Sequence, residues 1–327
     1  MRKVLPVAAA CLLACLTPSR SFAWGAAAHR DVMRRAIARL PPDIKPFFDR
    51  VGDEVVLRVN DPDLWRNVPW PEDPNHFLNF GAAELGPYPF ELLPREYGAA
   101  LEKFGAQALD RIGRLPWREQ EEYGNLRRAF ERMGRGAPYA VSDTVLFSAV
   151  AAHYLQDAYE PLHATNNYDG QLTQQNGIHS RFETALFERF GSRLTLAPPP
   201  VRPITSPRDA AFTALLESYR RVQPILDADR AAVAGRSSYD DDYFEQFFAK
   251  AKPVLEERLS QAISATAALI VGAWEAAGRP SLRIDVSRSP QKVRVRPGVR
   301  PGGATGRATR YVQSGTGRLP GAPVGGS

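Results

Sequence analysis

Cysteine is scarce in this 327-residue chain: the two it has, Cys11 and Cys15, both sit in an apolar N-terminal run. From Leu16 onward there is neither thiol nor disulfide, so thiolate metal sites and a disulfide framework are excluded. Long apolar runs are missing too. Beyond the first segment the nearest rival is Ile263–Trp274, which is short and broken by Ser264, Thr266 and Gly272. It is too short for a span and reads as a buried helix. Period-2 alternation is scarce, which argues against a sheet-based fold, and no internal repeat is visible. Histidine is rare as well, with five in the whole chain.

What is there begins with a leader. Arg2 and Lys3 precede an apolar stretch from Val4 to Leu16, and Ser21-Phe22-Ala23 forms a small-residue cleavage site. The pattern predicts a signal peptide over 1–23, a mature start at Trp24, and a secreted or periplasmic protein with no transmembrane segment after processing. Leu12-Leu13-Ala14-Cys15 offers a lipid-attachment alternative, but the Ser-Phe-Ala site is better placed. With both cysteines removed, stabilisation falls to the core and to any bound metal.

The net charge of +6 is unevenly spread: residues 1–23 carry +3, residues 279–327 carry +9, and the body between them carries −6. A basic total is therefore no argument that the folded body binds nucleic acid. Residues 279–327 are rich in Arg, Pro, Gly and Ser and read as a disordered tail. It is either a solvated extension or an anchor to an anionic membrane surface, nucleic acid or cell-wall polymer.

The body, 24–278, reads as one all-α, multi-helix domain. Helices are expected over 26–40, 99–113, 118–133, 178–190, 208–232 and 240–276. Another starts near Ser142-Asp143, carries Val145, Leu146, Ala149 and Val150 into His153, and stops or bends at Pro161. Residues 50–98, dense in Pro, Gly, Asp and Trp, read as long loops with short turns, and 164–177 as a polar loop. In the last helix Phe244, Phe248, Ala251, Leu255, Leu259, Ile263, Ile270 and Trp274 form a core stripe, with Pro253 as a kink.

All five histidines fall into one pattern. His153 and Asp157 are four apart, as are His179 and Glu183, so each pair shares a helix face. His163 follows Pro161-Leu162. His76 lies in Glu72-Asp73-Pro74-Asn75-His76-Phe77, and His29 lies five residues past the expected mature start. Asp61 and Asp63 flank Pro62. Imidazole and carboxylate are what a zinc ion takes when no thiolate is offered. A single His-x-x-x-Asp is more often a satisfied pair. Two such pairs joined by a third histidine exceed one tetrahedral ion, and point to two or three metals with a shared carboxylate. Such centres suit phosphoester hydrolysis.

On these residues the chain resembles the zinc-dependent phospholipase C and S1–P1 nuclease superfamily. The resemblance covers Trp24 to about Gly278: an N-terminal Trp, an early His, an Asp, a His, then H-x-x-x-D-x-x-x-P-[LM]-H and H-x-x-x-[ED]. It implies a secreted, all-α phosphoesterase with three zinc ions. One would be held by Trp24, through its amino group and carbonyl oxygen, by His29 and by Asp157. The second would take Asp63, His76, His153 and the shared Asp157; the third would take His163, His179 and Glu183. Asp63 is preferred to Asp61 because a basic residue, Arg66, follows it by three.

The implied mechanism is in-line attack of a zinc-activated water on phosphorus, with two metals gripping the phosphate and the third steadying the leaving oxygen. Asp63 doubles as the catalytic residue that orients or deprotonates the water. Glu160 and Asn166 are expected either to support the ligands or to be surface polar groups. Trp24-Gly25 with His29 looks like the nuclease branch. Glu183 and the stretch from Pro161 to Gly170 look like the phospholipase branch, which is favoured. Ala27, Leu64 and Asp73 stand where phospholipases recognise choline, so that head group does not carry over. The expected partners are a phospholipid or another phosphodiester, with single-stranded nucleic acid or a nucleoside 3′-monophosphate as the alternative. A reading of another class is a non-catalytic zinc or lipid-binding protein on the same fold.

Overall fold

The computed structural model describes residues 24–283. The expected leader and the tail from 284 onward lie outside the described residues. The described chain is helical with no strand among its residues; one isolated bridge joins Phe80 to Thr165. No described helix is long and apolar enough to cross a membrane.

Helix α1 (Ala26–Ile37) buries Ala28, Val32, Met33, Ala36 and Ile37 and ends before Pro41-Pro42, slightly earlier than the pattern predicts. Helix α2 (Lys45–Arg58) corrects the sequence reading, which treated residues 50–98 as loop. Pro46 sits in its first turn, where the missing N–H costs nothing and the fixed φ favours the helix. Phe47, Phe48, Val55 and Val56 are buried, each contributing about 1.5–3 kcal/mol. Helix α3 (Asp61–Trp65) uses Pro62 the same way, so the irregular region starts only after it and carries short 3-10 turns at Asp73–His76 and Ala83–Leu85.

The single helix expected over 99–113 is two, α4 (Tyr97–Phe104) and α5 (Ala106–Ile112), because Gly105 between them takes φ +77°. Then come α6 (Leu115–Gly134) and α7 (Ala140–Ala158). Helix α7 starts two residues ahead of Ser142, after a left-handed Tyr139. Helix α8 (Ile178–Ser180) passes through a π-turn at Arg181–Ala185 into α9 (Leu186–Phe190). Two long helices, α10 (Pro207–Val233) and α11 (Asp241–Ala276), run through Pro224 and Pro253 respectively without being divided.

Three apolar clusters fill the interior. One joins α1, α2, α6, α7 and the C-terminal half of α11. A second joins α1, the α8–α9 segment, α10 and the N-terminal half of α11. A third lies under residues 78–93, α5 and the start of α10. Tyr159, just past the end of α7, packs against all three. Helix α7 is the central element, in contact with α1, α2, α6, α10 and α11. The run Ala149–Ala152 supplies the small side chains that let neighbours close in on every face. The body also extends past Gly278. Trp274 Nε1 donates to the Pro280 carbonyl at 2.9 Å, and Leu282 packs on the first cluster.

Candidate metal centre

Polar side chains in the middle of an apolar helix carry a large desolvation cost unless paired. Helix α7 nevertheless buries His153, Gln156 and Asp157 completely. Asp157 is also in the last turn, where the negative end of the helix dipole disfavours a carboxylate. Local rules of this kind are broken chiefly at functional or strained positions.

Three groups of buried side chains each bring one nitrogen or carboxylate oxygen per residue within 4.8 Å of one another. They are Asp63, His76 and His153; His29, His153 and Asp157; and Glu160, His163, His179 and Glu183. All five histidines take part. Trp24 is buried beside them: its indole donates to the Gln156 carbonyl at 2.9 Å and its ring lies 6.1 Å from Phe182. Gly25 makes this approach possible, since a Cβ there would stand 2.6 Å from Thr184 Oγ1. The start of the described chain is thus pressed against the π-turn that carries Glu183. Such turns recur at functional sites.

Asp157 divides its oxygens between two sides. Oδ2 is 3.0 Å from His76 Nδ1 and 3.3 Å from His153 Nε2, and those two nitrogens are 3.1 Å apart. Asp63 Oδ1 completes that side at 3.9 Å from each histidine. Oδ1 of Asp157 faces His29 Nε2 at 3.3 Å. Bonds of about 2.0–2.1 Å at a tetrahedral metal place neighbouring ligand atoms roughly 3.3 Å apart. The closer spacings are of that order, so these atoms could share an ion. Several of these atoms, His29 Nε2, Asp63 Oδ1, Asp157 Oδ1 and His179 Nε2, are buried without a hydrogen-bond partner. Close, buried and unbonded lone pairs fit a divalent cation between them. The geometry also separates the two candidate aspartates. Asp61 pairs with Arg58 at 2.9 Å on the partly exposed side, whereas Asp63 faces the histidines and Arg66 Nη1, 3.7 Å away.

The third group is built around residues 160–163 and the start of α8. Glu183 Oε2 lies 3.2 Å from His179 Nε2 and 3.9 Å from His163 Nε2. His163 Nδ1 donates to the His76 carbonyl at 2.5 Å, which leaves Nε2 as the free donor atom and ties this group to the first. Glu160, expected at most as a supporting group, is completely buried with Oε2 3.6 Å from His179 Nε2. Asn166 lies outside: it donates to the Gly81 carbonyl on the surface.

The charges follow from the packing. Burial opposes the anionic form of Asp157, but the surrounding histidines, led by His153 and His163, hold its carboxyl well below the usual range. Burial also opposes a proton on His76 and His179, yet the adjacent carboxylates raise both to about 9. Burial lowers His163 to about 3 and lowers His153 as well. Burial pushes Glu160 upward.

Two orienting residues escaped the sequence reading. Gln156 Oε1 accepts from His29 Nδ1 at 2.6 Å, fixing the tautomer that leaves Nε2 bare. Glu72 Oε1 stands 3.4 Å from His76 Nε2 and accepts from the Tyr154 hydroxyl. The only sequence signal was a polar residue on an otherwise apolar helix in one case, and a carboxylate four positions before a histidine in the other. Carboxylates that orient a ligating histidine typically govern about 10–100-fold in metal affinity. Glu72→Gln is therefore expected to weaken metal binding by that factor, read by competition against a chelator. Unchanged affinity would leave Glu72 a structural carboxylate only.

No protein-family model matches the chain, and no curated protein matches it.

Proposed function

We propose that this protein is a zinc-dependent phosphoric ester hydrolase of the phospholipase C and S1–P1 nuclease type, acting on a phospholipid. The observation that carries the reading is the convergence of all five histidines with Asp63, Asp157 and Glu183 into buried, mutually facing donor groups. Imidazole and carboxylate donors without sulfur suit zinc. His29 and Asp157 would hold one ion, joined by the Trp24 main chain if cleavage follows Ala23. Asp63, His76 and His153 would hold a second with Asp157 shared, and His163, His179 and Glu183 a third. When bound, the ions supply positive charge that polarises phosphoryl oxygens and acidifies a water nucleophile.

The chain's own residues supply the rest. Asp157 stays anionic throughout, held so by its histidine neighbours. Gln156 and Glu72 keep His29 and His76 turned toward the carboxylates. Asp63 begins the segment that reaches the surface and is the carboxylate placed to take a proton from the attacking water. Arg66, braced by Asp73 at 2.6 Å, brings a cation to the same end of the cluster for a phosphate oxygen. Leu64, Val68 and Trp70 are exposed large apolar residues on this segment. An apolar rim with a tryptophan beside the reacting groups favours a lipid interface over a nucleic-acid strand.

A substrate panel on zinc-loaded protein tests this: phospholipids of varied head group, single-stranded DNA and RNA, and nucleoside 3′-monophosphates. Phosphodiester cleavage of a phospholipid is expected to be fastest. Faster cleavage of nucleic acid would select the nuclease branch, and zinc binding without turnover of any member would select a non-catalytic protein. The basic tail enters the same assay. Deleting 284–327 is expected to slow hydrolysis in anionic vesicles at low salt, where each Lys or Arg contributes about 1 kcal/mol, and to spare a soluble short-chain analogue.

A further inference from the structure

The third donor group differs from the other two in how many carboxylates it offers a single ion. The first two groups share Asp63 and Asp157 between two ions. The third brings Glu160 and Glu183 to one, both completely buried and both facing His179. One oxygen of Glu160 has an ordinary local role, since Oε2 accepts the His163 amide at 2.8 Å and so caps the short turn Pro161–Ala164. A serine or asparagine would cap as well, and without a buried charge. The other oxygen, Oε1, is buried without a hydrogen-bond partner. His179 Nε2, between the two carboxylates, is likewise unbonded. Two buried carboxylates side by side are costly unless a cation lies between them.

We propose that Glu160 is the fourth protein ligand of the metal held by His163, His179 and Glu183, closing that site so that it holds the fold and does not contact substrate. This rests on the metal-centre reading above and departs from what the family resemblance implies, in which three side chains leave the third ion open to the leaving group.

The charge balance points the same way. Two carboxylates and two neutral imidazoles cancel one divalent ion, so the third site is neutral when filled. Four ligands from the protein also complete a tetrahedral shell, as structural zinc sites do. Asp63 and Asp157 cancel only half the charge of two divalent ions, and Arg66 adds another positive charge nearby. The surplus that attracts an anionic phosphoester therefore lies at the paired sites. The third site links the turn at Pro161–Ala164 to α8 and the π-turn, two segments with little regular structure of their own.

The test uses the protein cleaved after Ala23, with its tail, and zinc alone. Zinc content is measured by elemental analysis after equilibration with graded chelator, for the natural protein, Glu160→Gln, and Glu183→Gln as the reference for loss of a ligand. The natural protein is expected to hold three zinc ions. Glu160→Gln is expected to keep two and to release the third on the order of a hundredfold more readily, like Glu183→Gln. Retention of two ions shows that the variant is folded. If Glu160→Gln does not fold, Glu160→Asp, which keeps the carboxylate one methylene shorter, is expected to show the same selective release to a smaller degree. Equal affinity for all three ions in the variant and natural proteins overturns the assignment of Glu160 alone. A natural protein that binds no zinc overturns the metal centre and this inference with it.

Discussion

Asp157→Asn is expected to lower kcat/KM on the best phosphoester by about a thousandfold or more, from the loss of several kcal/mol of transition-state stabilisation. The reason is geometric. One oxygen faces His29 and the other faces His76 and His153, so a single substitution withdraws negative charge from two ion positions at once. An amide also brings an N–H₂ group among nitrogens that must stay bare. Zinc content should fall by up to two ions, while the third site, whose ligands do not include Asp157, stays filled. Steady-state kinetics and elemental analysis on the same preparation check both parts. Full activity with full zinc content would remove Asp157 from the centre of the site.

Stripping the metals is expected to lower the melting temperature by more than about 20 °C. A site at a thousandfold its dissociation constant contributes about 4 kcal/mol, and each kcal/mol is worth roughly 2–4 °C in a domain of this size. The effect should depend on pH with a defined sign. In metal-free protein His76 and His179 hold protons up to about 9, above their ordinary 6.5. Those pairs stabilise the stripped fold fully below about 6.5, and that stability is lost as pH rises through about 9. Metal binding requires the same nitrogens unprotonated, so below about 9 each of the two sites gains about tenfold in affinity per pH unit of rise. The gap between loaded and stripped melting temperatures should widen from about pH 6 to 9. Scanning calorimetry with and without chelator measures it, and a gap that narrows would contradict the assignment of these histidines as ligands.

The sequence carried the helical class and the donor groups for different reasons. Periodicity was strong in α10 and α11 because long helices average out local exceptions. It failed at α2, whose second half falls in the Pro-, Gly-, Asp- and Trp-dense stretch 50–98 that reads as loop, although Pro46 in the first turn favours a helix. It also merged α4 and α5, since nothing local distinguishes a left-handed Gly105 from a tolerated helical glycine. The histidine and carboxylate spacing was legible because a metal needs several donors and the chain has few histidines. Gln156, Glu72 and the inward turn of Glu160 were not, because orientation depends on which distant segment folds across a side chain. The choice between Asp61 and Asp63 was open for the same reason. In space Asp63 faces the histidines, and Asp61 pairs with Arg58.

Tyr159 links this geometry to access. It touches all three apolar clusters and is flanked by Asp157 and Glu160, so the donor groups sit where three separately packed regions lean on one another. A shift in any one of them would disturb the packing of the others. The donor groups therefore rest on an anvil of packed interior elements. Arg66 and the exposed Val68 and Trp70 lie on the irregular segment after α3, outside that interior.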